Sequence, residues 1–187
     1  MKIKSVIAAT MIAACGVAIA DSSVNVQYFG QEAKSNGATS HYVVTGFKTD
    51  VTNRLAVDVS ATQNQADATN LVTNRWEAGL TGTIAKAGPA TFTVRGATGI
   101  KAKSGVESFS YYSVEPNVSV ALPANFSASY GWRYRDSYEG ANGDYSITDR
   151  YTVSYNLTKN DKISLRHDDQ RGASGSRATG LIYTRSF

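Results

Sequence analysis

Seven arginines, Arg54, Arg75, Arg95, Arg133, Arg135, Arg150 and Arg166, fall on one parity of segments in which apolar and polar residues alternate. A β-strand sends successive side chains to opposite faces, so residues of one parity share a face. The acids on that parity are Asp58, Glu77 and Glu115. The other residues on it are largely small, such as Ser60, Gly79, Thr93, Gly99, Ser129 and Thr152. A guanidinium stays charged at any working pH and offers paired donors to carboxylates, phosphates and sulfates. A dry enclosed face would need its charges matched, because an unpaired buried ion costs several kcal/mol. Seven arginines against three acids leave a surplus of about four positive charges, which favours a hydrated space that attracts anions. These ten residues are the candidate lining of an interior path.

Other chemistries lack their residues. The histidines are His41 and His167, too few and too far apart for a metal site. His167-Asp168-Asp169 has the types needed for general-base work, but His167 and Asp168 point to opposite faces wherever the strand continues. There is no G-x-S-x-G elbow for a serine nucleophile. Asp136, Glu139 and Asp144 read most simply as a solvated acidic loop. The basic residues are interior rather than a surface stripe, so nucleic acid has no footprint. No enzyme, cofactor or metal is expected.

The elements that position the arginines are strands. In Phe126–Arg135, Phe126, Ala128, Tyr130, Trp132 and Tyr134 face one way while Ser127, Ser129, Gly131, Arg133 and Arg135 face the other. The same pattern puts Leu55, Val57 and Val59 in one outer row, then Trp76, Leu80 and Ile84, then Phe92, Val94 and Ile100. Later rows hold Tyr112, Val114 and Val118, then Tyr151, Val153 and Tyr155, then Leu181, Tyr183 and Phe187. Four short breaks, near 49–53, 85–90, 121–125 and 158–162, begin about 36 residues apart, room for two strands, a tight turn and a longer loop. The longer loops are expected at 32–40, 63–70, 101–108, 136–144 and 168–177. This spacing gives ten strands, an even number that leaves both termini on the periplasmic side.

The expected fold is all-β: a single antiparallel up-and-down transmembrane barrel with an apolar exterior and a polar interior. Phe92, Phe126, Tyr155 and Phe187 fall toward the short-turn end, and Trp76, Tyr112, Tyr134 and Tyr145 toward the loop end, as two interfacial girdles. The competing reading is a soluble sandwich that buries its aromatic face. The second strand is ambiguous in facing, because Tyr42, Val43, Val44 and Phe47 break strict alternation. Pro116 falls mid-strand, where a bulge is expected. Arg185 shares the outward parity and is expected to snorkel at the rim.

Residues 1–20 read as a cleaved signal peptide: Lys2 and Lys4, an apolar stretch, then Ala18-Ile19-Ala20 before Asp21. Ile12-Ala13-Ala14-Cys15 also fits a lipoprotein box, but leaves an apolar core of about six residues, too short for a leader. Cleavage after Ala20 leaves residues 21–187 as one barrel with no cysteine. The net charge of +4 falls to about +2 once Lys2 and Lys4 leave, too little to indicate a partner. A mean hydropathy of -0.27 is compatible with membrane insertion, because a barrel needs apolar residues only at alternate positions.

The block from Tyr111 to Asp169, with Trp132-Arg133-Tyr134-Arg135 before a polar loop and Tyr151-Thr152-Val153-Ser154-Tyr155 beyond it, resembles the oligogalacturonate-specific, KdgM-type outer-membrane porins. The resemblance is clearest over about residues 70–170 and is one of pattern. It implies a small monomeric barrel whose pore, for acidic oligosaccharides, is lined by Arg75, Arg95, Arg133, Arg135, Arg150 and Arg166. The family usually has twelve strands, the alternative count here; ten strands make a narrower path, favouring small acidic sugars or ions. The combined expectation is a narrow, anion-preferring diffusion channel in the bacterial outer membrane, in contact with lipid and lipopolysaccharide. Tyr183 and Phe187 in the last strand would be the signal read by the barrel-assembly machinery. The alternative function is a closed structural or adhesive barrel with a salt-bridged, plugged interior.

Overall fold

The computed structural model describes residues 21–140, 144–172 and 175–187. The leader expected at 1–20 lies outside the described residues. Ten strands follow in chain order: β1 (Ser22–Ala33), β2 (Thr39–Thr52), β3 (Leu55–Ala66), β4 (Val72–Ala87), β5 (Ala90–Lys103), β6 (Val106–Ala121), β7 (Phe126–Ser137), β8 (Ser146–Asn156), β9 (Asp161–Gly172) and β10 (Ser176–Ser186). Each pairs antiparallel with its chain neighbours, and β1 pairs with β10 to close the barrel. The count is ten, not the alternative twelve. Followed once round the wall, the register advances by about 12 residues, which tilts the strands by roughly 40° and sets the wall roughly 10 Å from the axis.

The outer surface is where the apolar residues stand. Val59 meets Ala78 across a rung, Phe92 meets Val118, and Leu165 lies between Val153 and Leu181. Leu181 is 64% exposed, Leu165 55% and Leu80 53%, within a belt of such residues around the barrel. A soluble monomer does not expose a continuous apolar surface of that extent, so the sandwich reading is excluded and the belt faces lipid. Both girdles form: Phe126 packs on Tyr155 (4.8 Å between ring centres) at the short-turn rim, and Tyr134 contacts Tyr112 (6.0 Å) and Tyr145 (5.7 Å) toward the other.

The interior apolar cluster is small. Phe29, Tyr42 and Ala178 are buried together, with Val44 and Ile182 packed against them. Phe29 and Tyr42 stack at 4.7 Å and 8°. That settles β2: Tyr42 and Val44 turn inward, while Val43 and Phe47 share outward rungs with Tyr28 and Val24. Gly180 stands opposite Phe29, where a Cβ would lie 2.5 Å from the ring; Gly99 makes the same space for Tyr111.

The four tight turns fall where the breaks in pattern put them, with Gly88 at φ 56° in the β4–β5 turn. The other end departs from expectation. The loop expected at 101–108 shrinks to a turn at Ser104-Gly105, and β9 runs on to Gly172. Polar residues there line the lumen or rise above the lipid, so polarity does not mark a strand's end. Pro116 produces no bulge: pairing with β5 is unshifted, and the β7 ladder skips from Val114–Tyr134 to Asn117–Gly131 in the same register.

Candidate functional site

Six of the seven arginines, Arg75, Arg95, Arg133, Arg135, Arg150 and Arg166, line one interior cavity of about 490 Å³, together with Asp58, Glu77 and Glu115. Arg54 does not. It sits exposed in the β2–β3 turn, because alternation counted back from Ala56 does not continue past the strand's first residue, Leu55.

The cavity has two unlike sides. One, built mainly by β3 to β9, is ionic. Arg95 is held by Asp58 (Nε to Oδ1 3.0 Å) and by Glu77 (Nη1 to Oε1 2.6 Å). The other oxygen of Glu77 accepts from Arg133 and from the Tyr111 hydroxyl (3.0 Å). Gly79, level with Asp58, leaves room for this: a Cβ there would lie 2.6 Å from the Arg95 guanidinium. Arg150 donates to Glu115 at 2.6 Å and lies 3.8 Å from Asp168, which is also 3.0 Å from Arg166. The Arg166 guanidinium covers the Phe29 ring at 4.4 Å. Toward the loop end, Asp144 meets both Lys101 (2.6 Å) and Arg135 (3.0 Å).

The other side, from β1 and β3, carries amides and hydroxyls. Gln27 donates to Asn25 at 2.8 Å, Asn64 to Gln31 at 3.1 Å, and Gln31 to Ser176 at 2.8 Å; Ser60 and Thr62 complete it. These groups carry no charge and satisfy one another in part, leaving a lane that water or a polyhydroxylated solute can line.

Eight basic side chains line the cavity against four acids. Asp144 reaches in as a fifth carboxylate. The lining therefore remains net positive, although its members differ from those expected. Lys48, Lys101, Asp168, Tyr42 and Tyr111 were not anticipated. Asp168 and Lys101 lie in polar segments that look like loops in the sequence, and Lys48 on the strand of ambiguous facing. Among the described residues, Arg75 and Lys48 make no ion pair.

The remaining candidates lie outside the cavity. Asp168 points in, whereas His167 is half-buried on the opposite face and its Nδ1 lies 2.8 Å from the Thr179 hydroxyl. His41 is exposed, 3.5 Å from Asp67. Neither histidine can serve chemistry in the lumen. Asp149, on the lipid-facing row, accepts from Tyr130 (2.7 Å) and Arg171 (2.6 Å). At the short-turn rim Tyr183 and Arg185 both donate to Asp161 (2.6 and 3.1 Å), and Phe187 is exposed beyond β10.

No protein-family model and no curated protein matches this sequence. Solved structures do match. A KdgM porin in complex with disordered oligogalacturonate aligns with a TM-score of 0.52 at 13% identity, covering 88% of this chain and 99% of that one. The COG4313 outer membrane channel from Pseudomonas putida F1 gives 0.55 at 11% identity, covering 91% and 97%. The NanC porin gives 0.52 at 8% identity, covering 87% and 100%. At such identities the likeness is one of fold: this chain is a barrel of the architecture used by outer-membrane porins and channels.

Proposed function

We propose that this protein is a narrow outer-membrane channel that prefers anions and passes small acidic solutes, acidic saccharides among them. The observation that carries the reading is the cavity lining, in which eight basic groups face five carboxylates, Asp144 included, inside a belt built for lipid. A confined, hydrated space of one sign concentrates counter-ions of the other. The amide and hydroxyl lane adds donors and acceptors for sugar hydroxyls. The fold likeness to a porin solved in complex with disordered oligogalacturonate supports the same class of solute.

Around this core, the protein works as a monomer, residues 1–20 direct export and are removed, and the belt contacts lipid and lipopolysaccharide. The last strand, ending in Tyr183 and Phe187, engages the assembly machinery. The second reading, a plugged barrel, draws on the Asp58–Arg95–Glu77–Arg133 network, which fills part of the lumen. Uptake into proteoliposomes separates the two. The channel reading expects digalacturonate to enter faster than neutral lactose; entry of neither solute into vesicles holding folded barrel contradicts it.

A further inference from the structure

Lys48 and Lys162 stand apart from the ion-paired arginines of the lumen. Lys48 lines the cavity toward its short-turn end, the end expected to face the periplasm, and is exposed. Lys162, on β9, shares the inward face of Ser164 and Arg166 and lies near the same end. Neither ammonium has an ion-pair partner among the described residues. Asp58 is level with Lys48 across the β2–β3 rung, yet it gives both carboxylate oxygens to Arg95. Asp161, next to Lys162, faces outward and is held by Tyr183 and Arg185. Asp50, two residues beyond Lys48, is exposed and pairs with neither lysine. One continuous rung runs from Lys48 through Ser23 and Ser186 to Asn160, two residues before Lys162, so the two lysines stand at nearly the same level of the wall.

Two like charges facing one lumen without a carboxylate between them are relieved by an anion from solution. Apart from Arg75, the arginines of the ionic side are in the opposite state: Arg95, Arg133 and Arg150 already hold carboxylates, so a passing anion would have to displace one. We infer that Lys48 and Lys162 form an anion-binding site at the periplasmic end of the lumen, for a carboxylate- or phosphate-sized group, and that this site sets the channel's ion preference. The paired arginines shape the lane. The inference rests on the channel reading for its second half only.

Two experiments on the refolded mature protein test it separately. Inorganic phosphate is added during limited acylation of lysines, and modified sites are mapped by mass spectrometry. Lys48 and Lys162 should be protected several-fold relative to Lys159, which lies in the β8–β9 turn; equal protection at all three overturns the site, whatever the protein conducts. In planar bilayers, Lys48→Gln/Lys162→Gln should lose most of the anion preference, and Lys48→Glu/Lys162→Glu should reverse it. Normal anion preference in both folded variants overturns the selectivity role while leaving the channel reading intact. A protein that conducts nothing even without substitution contradicts the channel reading, and phosphate protection then still decides the site.

Discussion

Glu77 accepts from two guanidiniums and a phenol, and it joins the Asp58–Arg95 pair to Arg133 and Tyr111. Replacing it with Gln keeps the shape but leaves two largely enclosed cations without their shared counter-charge. Glu77→Gln is expected to cost about 3 kcal/mol of folding stability, read as a lower urea midpoint for unfolding from lipid vesicles. Asn64→Ala, on the amide side, should leave that midpoint nearly unchanged; equal effects would mean the ion network carries no special weight. Gly79→Val should act on the same network, because its side chain occupies the space of the Arg95 guanidinium. Parity alone identified Arg95, Arg133, Glu77 and their neighbours as interior residues, since facing on a strand is a local property. It erred at Arg54, where the strand had not begun, and passed over Lys48, whose strand mixes apolar residues on both faces. Which charges pair was not legible, because Glu77 and Arg133 are brought together by strands far apart in the chain.

At the scale of the strand, alternation decides both insertion and assembly. Leu165 stands mid-belt between Val153 and Leu181. Leu165→Arg should cost about 2–4 kcal/mol in folding into bilayers, while Ser60→Arg, facing the lane, should cost far less. Similar losses at both positions would contradict the assigned facing. Removal of Phe187, exposed at the end of the last strand, is expected to lower the amount of heat-modifiable barrel in outer membranes, with little effect on refolding of purified protein. Loss of refolding in vitro as well would make its role structural. The tight turns were legible because they interrupt the outward apolar row. The ends of the strands at the other rim were not: residues such as Lys101 and Asp168 are polar because they face the lumen, and they look the same whether the backbone is paired or looped.

For the whole molecule, ten strands and their stagger set a wall roughly 10 Å from the axis, too narrow for a wide pore once side chains are in place. The lumen is shared between an ionic side that braces the barrel and a neutral lane beside it, and among the described residues its Arg75, Lys48 and Lys162 make no ion pair. Closure and strand number could be read in advance from the even count and the outward rows. The division of the lumen could not, since it depends on how Arg95, Glu115 and Asp168 meet across the barrel. Conduction along the lane and its preference for anions can be read together. The most direct test is the reversal potential of the refolded mature protein in a planar bilayer under a KCl gradient. An anion-preferring lane gives stable conductance with a potential displaced toward that of chloride. A potential displaced toward that of potassium, or no conductance from a demonstrably folded barrel, would contradict it.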